Sequence, residues 1–459
     1  MRLFDTSIYT ARRAALRTAV GSGTILLMGN EEAPMNYKHN IYRFRQDSSF
    51  LYFFGLNMPG LYATIDCDTG REVLYGHEYT MDDIIWVGPQ AHTLSDYAAM
   101  VGVDVVKSPT DTHWATSETI HYLPPYRHLN TMKIASWTGQ SIAAVEQGSS
   151  AQLVDAVIEQ RSVKSAEEIA EMTKAVNVSR AMHIAAMQAV RHGKMEYDIV
   201  GEIYRTAKSQ NCYLAYPAIF SKDGQTLHNH HHHNRLQKGD LVLNDSGAEN
   251  DMCYAGDITR TVPVGGTFSN KQKEIYNIVL DMEVSSIEAL QPGLPYRDVH
   301  ISSNEIMLTG LKELGLLKGD VEAMIADGVG GLFMPHGLGH MIGLDVHDME
   351  DLGEDKVGYG TAYQRSTQLG LKSLRLAREL QEGYVITVEP GIYFIPQLIE
   401  KWRSEGLHSN YINYDRLKDY YDFGGIRIED DVLITKNGSR ILGAPIPKTV
   451  QEVEDVMKD

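Results

Sequence analysis

Leu241-Val-Leu-Asn-Asp245 is an apolar run that ends in a carboxylate, and Asp257-Ile-Thr-Arg-Thr-Val262, starting twelve residues later, begins with one. The aliphatic and β-branched content of both runs predicts short strands. The residues between them are enough for the second strand to turn back beside the first, so that the two carboxylates meet on one face. Antiparallel neighbours set among long helices define an α+β fold. Upstream, Ser165-Ala-Glu-Glu168 is a capping box, with Ile169, Met172 and Val176 following at helical spacing. Helices are expected over 271–290 and 298–314, the first closed by Pro292-Gly293, and further strands over 385–388 and 426–434.

The N-terminal part alternates differently. Residues 24–28, 50–54 and 61–65 read as strands, and 91–101 and 152–161 as helices, the pattern of a smaller α/β domain. The expected boundaries are 1–162 for this domain and 163–459 for the C-terminal one. Residues 351–368, rich in glycine and charge, read as an inserted loop. No internal repeat is discernible.

The chain has 459 residues, 43% of them apolar and 22% charged, which is ordinary globular composition. Its formal net charge of −18 argues against a nucleic-acid partner, since phosphate is met by a basic surface. Cys67, Cys212 and Cys253 lack the spacing of a disulfide framework or a cysteine zinc site and suit a reducing compartment. No run of about 18 apolar residues occurs, and Met1 to Val20 lacks an apolar leader core, so no membrane partner and a cytoplasmic location are expected.

Two more acids share the context of the first pair. Glu389 ends Val385-Ile-Thr-Val388 before Pro390-Gly391, and Glu429 sits in Ile426-Arg-Ile-Glu, where strand alternation puts it on the face of Arg427. A carboxylate in so apolar a run needs a partner. Arg260, Arg427 or Lys238 could supply ion pairs. Four such acids beside the loop Pro335-His-Gly-Leu-Gly-His-Met-Ile-Gly-Leu-Asp-Val-His-Asp348, with His336, His340 and His347, favour two divalent cations instead. In His228-Asn-His-His-His-His233, the last four histidines read mainly as a solvated loop.

These residues carry a resemblance. Asp245-Ser-Gly-Ala-Glu, Tyr254-Ala-Gly-Asp-Ile-Thr-Arg-Thr-Val-Pro-Val, His336-Gly-Leu-Gly-His, Leu344-Asp-Val-His-Asp, Thr387-Val-Glu-Pro-Gly-Ile-Tyr and Gly425-Ile-Arg-Ile-Glu-Asp-Asp are similar to motifs of the aminopeptidase P and prolidase group of pita-bread metallopeptidases. Tyr42-Arg-Phe-Arg-Gln-Asp-Ser-Ser-Phe-Leu-Tyr-Phe resembles the group's N-terminal domain. The resemblance implies a pita-bread domain that cleaves between an N-terminal residue and a following proline. It implies two metal ions, Mn²⁺ ahead of Co²⁺ or Zn²⁺, on Asp245, Asp257, His340, Glu389 and Glu429, with Asp257 and Glu429 bridging.

Glu389 would also shuttle a proton, and His228 and His347 would stabilise the oxyanion. His336 would line the proline pocket, and Arg427 would hold the bridging carboxylates from behind. The interval from Asp245 to Asp257 is one residue longer than in the group, with the extra residue in Asn250-Asp-Met252. Gly370-Leu-Lys-Ser-Leu-Arg-Leu-Ala-Arg378 looks like the prolidase version of its region, where Arg375 matches an arginine that binds a substrate carboxylate; Trp86 resembles a substrate-contacting tryptophan of aminopeptidase P. Dipeptides and longer peptides therefore both stand as substrates, and a homo-oligomer is implied. The alternative, an inactive pita-bread scaffold that binds peptide or protein, requires lost ligands, and all five positions are filled.

Overall fold

A computed structural model describes residues 1–458. The chain forms two compact units, one of residues 1–161 with 349–353, the other of 162–348 with the chain from 354 onward.

The first unit is built on a five-stranded mixed sheet in the order Val106–Lys107, Glu72–Tyr75, Tyr62–Asp66, Thr24–Met28, Ile120–Tyr122. Tyr62 and Tyr75 face each other in register and stack at 4.4 Å, and Trp114 and Trp137 close over them. Such a cross-strand aromatic pair holds the register. Residues 50–54, expected as a strand, belong instead to the helix Ser48–Phe54. Its N-cap Asp47 accepts the Phe50 N–H at 2.8 Å, and Gly55 ends it at φ 67°. A short all-apolar run has no period that tells strand from buried helix, and here the caps decide. Trp86, on the helix Met81–Val87, is 79% exposed rather than part of a core.

The second unit repeats one plan. Helices Ala166–Ala189 and Glu196–Ser209 pack together and lead into an antiparallel sheet of Ile219–Ser221, Leu241–Asp245 and Thr259–Pro263. Helices Asn270–Ala289 and Tyr296–Glu313 do the same before the antiparallel pairs Val385–Val388 with Asp430–Thr435 and Gly391–Tyr393 with Gly425–Arg427. The capping box of Ser165 and Glu168 forms as the sequence indicates. The two inter-helix turns are alike, with Gly193 at φ 89° and Gly293 at φ 84°. This repeat escaped the sequence because burial pattern, not residue identity, is what the two halves share.

The expected strand over 426–434 is split at Ile428 and Glu429, because the chain changes partner there. Glu429 N–H instead donates to Thr259 O at 3.1 Å, and Thr261 Oγ1 to Arg427 O at 3.0 Å, joining the two halves. Among the described residues no helix is long and apolar enough to cross a membrane.

Two core histidines of this unit make stability depend on pH. His183 is bonded between Ser246 O and the Asn244 amide, and His300 lies against Asn304. Burial pushes both down to about 4 from an ordinary 6.5. The unfolded chain therefore takes up protons first, and the stability these residues contribute is complete above pH 6.5 and lost as pH falls towards 4. Each is expected to lower the unfolding free energy by about 1.4 kcal/mol per pH unit across that window. Urea titrations at pH 7, 5.5 and 4.5 check this: His300→Gln should flatten the slope by one histidine's share, and an unchanged slope would refute it.

Candidate active site

An open cavity of about 430 Å³ lies in the second unit. Ten of the residues singled out in the sequence line it, namely Asp245, Asp257, His340, Glu389, Glu429, His228, His347, His336, Arg375 and Arg427, and Trp86 does not. Asp245 ends its strand, Asp257 precedes the next, Glu389 follows Val388, and Glu429 occupies the split.

His340 is fixed from the backbone. Its N–H donates to Thr387 Oγ1 at 3.1 Å, and its Nδ1 lies 2.9 Å from Met341 O. A carbonyl can only accept, so Nδ1 carries the proton and Nε2 presents a lone pair. That Nε2 stands 3.5 Å from Asp257 Oδ2 and 3.7 Å from Glu389 Oε1. Asp257, His340 and Glu429 each offer a donor atom within 4.8 Å of the others. Gly339 is required here, because a Cβ would sit 2.1 Å from Thr387 O. The His347 ring lies 4.2 Å from that of His340.

Of the three cations considered as ion-pair partners, only Arg427 reaches the cluster, and it does so at one carboxylate. Arg427 Nη2 meets Asp245 Oδ2 at 2.6 Å. Arg260 turns away to Asp430 at 2.7 Å and donates to Glu429 O at 2.7 Å, which fixes the backbone at Glu429. The resemblance sets Arg427 behind the two carboxylates expected to bridge, Asp257 and Glu429. The arginine touches Asp245 directly and meets Glu429 only through Thr259, whose Oγ1 accepts from Arg427 Nε and donates to Glu429 Oε2 at 2.6 Å. The split strand turns Glu429 toward Thr259 and leaves the long arginine to span to the neighbouring strand.

Electrostatics identify what the cluster lacks. Burial, and then the negative charge of Asp257, pushes the Glu429 carboxyl well above the usual carboxylate range. Glu389 rises to about 7, again by burial first. Asp431, directly behind, accepts the Asp257 N–H at 2.9 Å, while its buried Oδ1 has no hydrogen-bond partner among the described residues. Four carboxylates, three buried and Glu389 half-buried, share one arginine and are short of positive charge. A hard-oxygen set with one imidazole fits divalent cations.

Sequence reasoning did not find Tyr216, whose hydroxyl reaches both Asp245 Oδ1, at 2.6 Å, and Asp257 Oδ1. It also missed Tyr393, which links Arg427 Nη1 and His336 Nε2, each at 2.8 Å. Tyr216 carries no local signal, and Tyr393, although it closes the quoted stretch from Thr387, meets Arg427 and His336 only through the fold. His336 Nδ1 donates to Gly337 O at 2.7 Å. Burial, with Arg427 nearby, pushes that histidine down to about 3, so its ring lines the cavity as a neutral group. His230 lines the rim, while His232 Nε2 is turned to Ala218 O at 3.2 Å.

A carboxylate-rich centre of this kind, on paired antiparallel sheets, defines a metal-dependent hydrolase. The chain belongs to metallopeptidase family M24, whose family model matches residues 170–436; the aminopeptidase P N-terminal domain matches 9–122. The second unit is thus the pita-bread catalytic domain of an α+β protein. The human Xaa-Pro dipeptidase is 33% identical over 454 residues, covering 96% of this chain and 90% of its own. A probable Xaa-Pro aminopeptidase of Botryotinia fuckeliana is 34% identical over 446 residues, covering 95% and 90%. Aminopeptidase P from E. coli, solved with the inhibitor Pro-Leu, superposes with a TM-score of 0.82 at 29% identity, covering 100% of this chain and 99% of that one.

Proposed function

We propose that this metallopeptidase hydrolyses the bond between an N-terminal residue and a following proline, with Asp245, Asp257, His340, Glu389 and Glu429 holding two divalent ions, Mn²⁺ in preference to Co²⁺ or Zn²⁺. The observation that carries the reading is the convergence of Asp257, Glu389 and Glu429 on the lone pair of His340, with Asp245 joined to Asp257 through the Tyr216 hydroxyl. Ions bound there would polarise the scissile carbonyl and bring water within reach of deprotonation near neutral pH.

The chain's own groups do the rest. Glu389 takes a proton from the attacking water and passes it to the leaving nitrogen. His228 and His347 donate N–H to the carbonyl oxygen as it gains charge. His336, held neutral between Tyr393 and Gly337 O, lines the pocket for the proline ring. Arg375, on the cavity wall and close enough to depress the ionisation of His228 after burial and Arg427, is the group for a free carboxylate following proline. This favours dipeptides.

The assay uses chelated protein restored with Mn²⁺, Co²⁺ or Zn²⁺ and compares Gly-Pro with Gly-Pro-Ala. Cleavage of Gly-Pro, highest with Mn²⁺, is expected. Cleavage confined to the tripeptide would remove the role given to Arg375, and no cleavage of either with metal bound would overturn the peptidase reading. The same reading assigns 1–162 and 163–459 as the domains, takes the enzyme as a homo-oligomer, and places it in the cytoplasm, where three buried thiols outside any disulfide are at home.

A further inference from the structure

The segment that read as an inserted loop, 351–368, supplies a short helix, Glu354–Gly358, and the chain beyond it as far as Arg378 folds against that helix. Tyr359, Leu374 and Ala377 form a small buried cluster there. Ala377 N–H donates to Gly358 O at 2.8 Å, and the chains run so close that a Cβ on Gly358 would meet Arg375 O at 1.7 Å. Arg365 is the tie of this module. Its Nη1 donates to Lys372 O and Leu374 O, both at 3.0 Å, its Nε to Asp355 Oδ1 at 2.8 Å, and its Cζ lies 4.7 Å from the Tyr359 ring centre. Its Nη2 holds Glu354 Oε1. The other oxygen of the same carboxylate, Oε2, accepts from Arg375 Nη1 at 3.1 Å.

From this chain of contacts we infer that Glu354, anchored by Arg365, is a positioning residue for substrate choice. It holds the Arg375 guanidinium at the cavity, so that the enzyme prefers a proline bearing a free carboxylate to one extended by further residues. The inference rests on the carboxylate role proposed for Arg375. Stability does not explain the arrangement. The side chains of Glu354, Arg365 and Arg375 are 35%, 26% and 33% exposed, and ion pairs that wet contribute little to folding. What the bridge does is remove rotamer freedom from a long side chain before substrate arrives. That advantage enters affinity for the carboxylate and not the chemical step. Loss of one immobilised side chain corresponds to roughly three- to tenfold in KM.

The test uses the full-length, Mn²⁺-loaded enzyme with Gly-Pro and with Gly-Pro amide, which lacks the charge; an amide that is not cleaved is read as a competitive inhibitor. Glu354→Gln, Arg375→Ala and the double variant are compared at matched thermal midpoints. Glu354→Gln is expected to raise KM for Gly-Pro about three- to tenfold, with kcat within about twofold and the amide unaffected. In the Arg375→Ala background the same change should have no further effect on KM. If Arg375→Ala leaves the ratio of Gly-Pro to amide unchanged, the role of Arg375 fails, and the inference with it. If Arg375→Ala collapses the ratio while Glu354→Gln leaves or lowers KM for Gly-Pro, Arg375 stands and the brace is overturned. A lowered KM would mean that Glu354 competes with substrate for the guanidinium.

Discussion

Glu429→Gln is expected to reduce Gly-Pro turnover by roughly a thousandfold or more, the scale on which a catalytic metal centre contributes, while making the metal-free protein more stable. The two effects have one origin. Glu429 is 1% exposed, and its backbone is held by Thr259 O and Arg260 independently of its side-chain charge. Gln keeps the shape and can still accept from Thr259 Oγ1, so the sheet has no reason to move. It removes the cost of burying this carboxyl, which burial and its acidic neighbours force to take up a proton on folding, a relief expected to raise the melting temperature of chelated protein by about 2–4 °C. Mn²⁺ should then stabilise the parent strongly, by about 2.7 kcal/mol at a hundred times its Kd, and the variant much less. Thermal melts with and without Mn²⁺ after chelation, beside the peptide assay, check both halves. A variant that keeps a tenth of the activity, or melts lower than the parent without metal, would contradict the assignment of Glu429.

Lys164→Met is expected to destabilise the protein by about 3–5 kcal/mol, the range for stripping one partner from a buried ion pair. Lys164 Nζ lies 3.0 Å from Asp348 Oδ2, and the two side chains are 1% and 2% exposed. Asp348 directly follows His347 and also accepts the Asp345 N–H at 3.3 Å, while its own N–H donates to Met341 O at 2.9 Å. Its carboxylate fills the space beside Gly343, where a Cβ would come within 2.6 Å of Oδ2. Lys164 N–H, in turn, donates to Gly383 O at 2.8 Å. The pair thus ties the start of the catalytic unit to the loop that carries His340 and His347. Without the lysine, the buried Asp348 carboxylate loses its contact with Nζ, and the loop is the part free to respond. Denaturant midpoints should show the loss. Lys164→Met combined with Asp348→Leu should recover most of it, since a buried pair replaced by apolar side chains is close to neutral. A single variant within about 1 kcal/mol of the parent would show that the pair is not the tie described.

The proposed metal-binding set is legible because its signal is local. A carboxylate at the end of an apolar strand is costly unless something meets it, and four such acids with a glycine-flanked histidine are visible one segment at a time. The capping box at Ser165 and the strand runs 241–245 and 385–388 are legible for the same reason, as side chains a few residues apart set each of them. Where two local patterns are equivalent, as at 50–54, the flanking caps tipped the balance to helix.

The sequence by itself determined the α+β class, the acids and the histidine loop, since these depend on periodicity and on chemistry carried within single segments. Only the tertiary structure decided how those acids are served: that Arg427 takes Asp245 while Thr259 takes Glu429, that Tyr216 spans two carboxylates, and that Glu354 holds Arg375. These pairings join residues from 21 to 182 positions apart in the chain. A hydrogen bond at that separation is set by where the strands and loops come to rest in space, and no spacing along the chain encodes it.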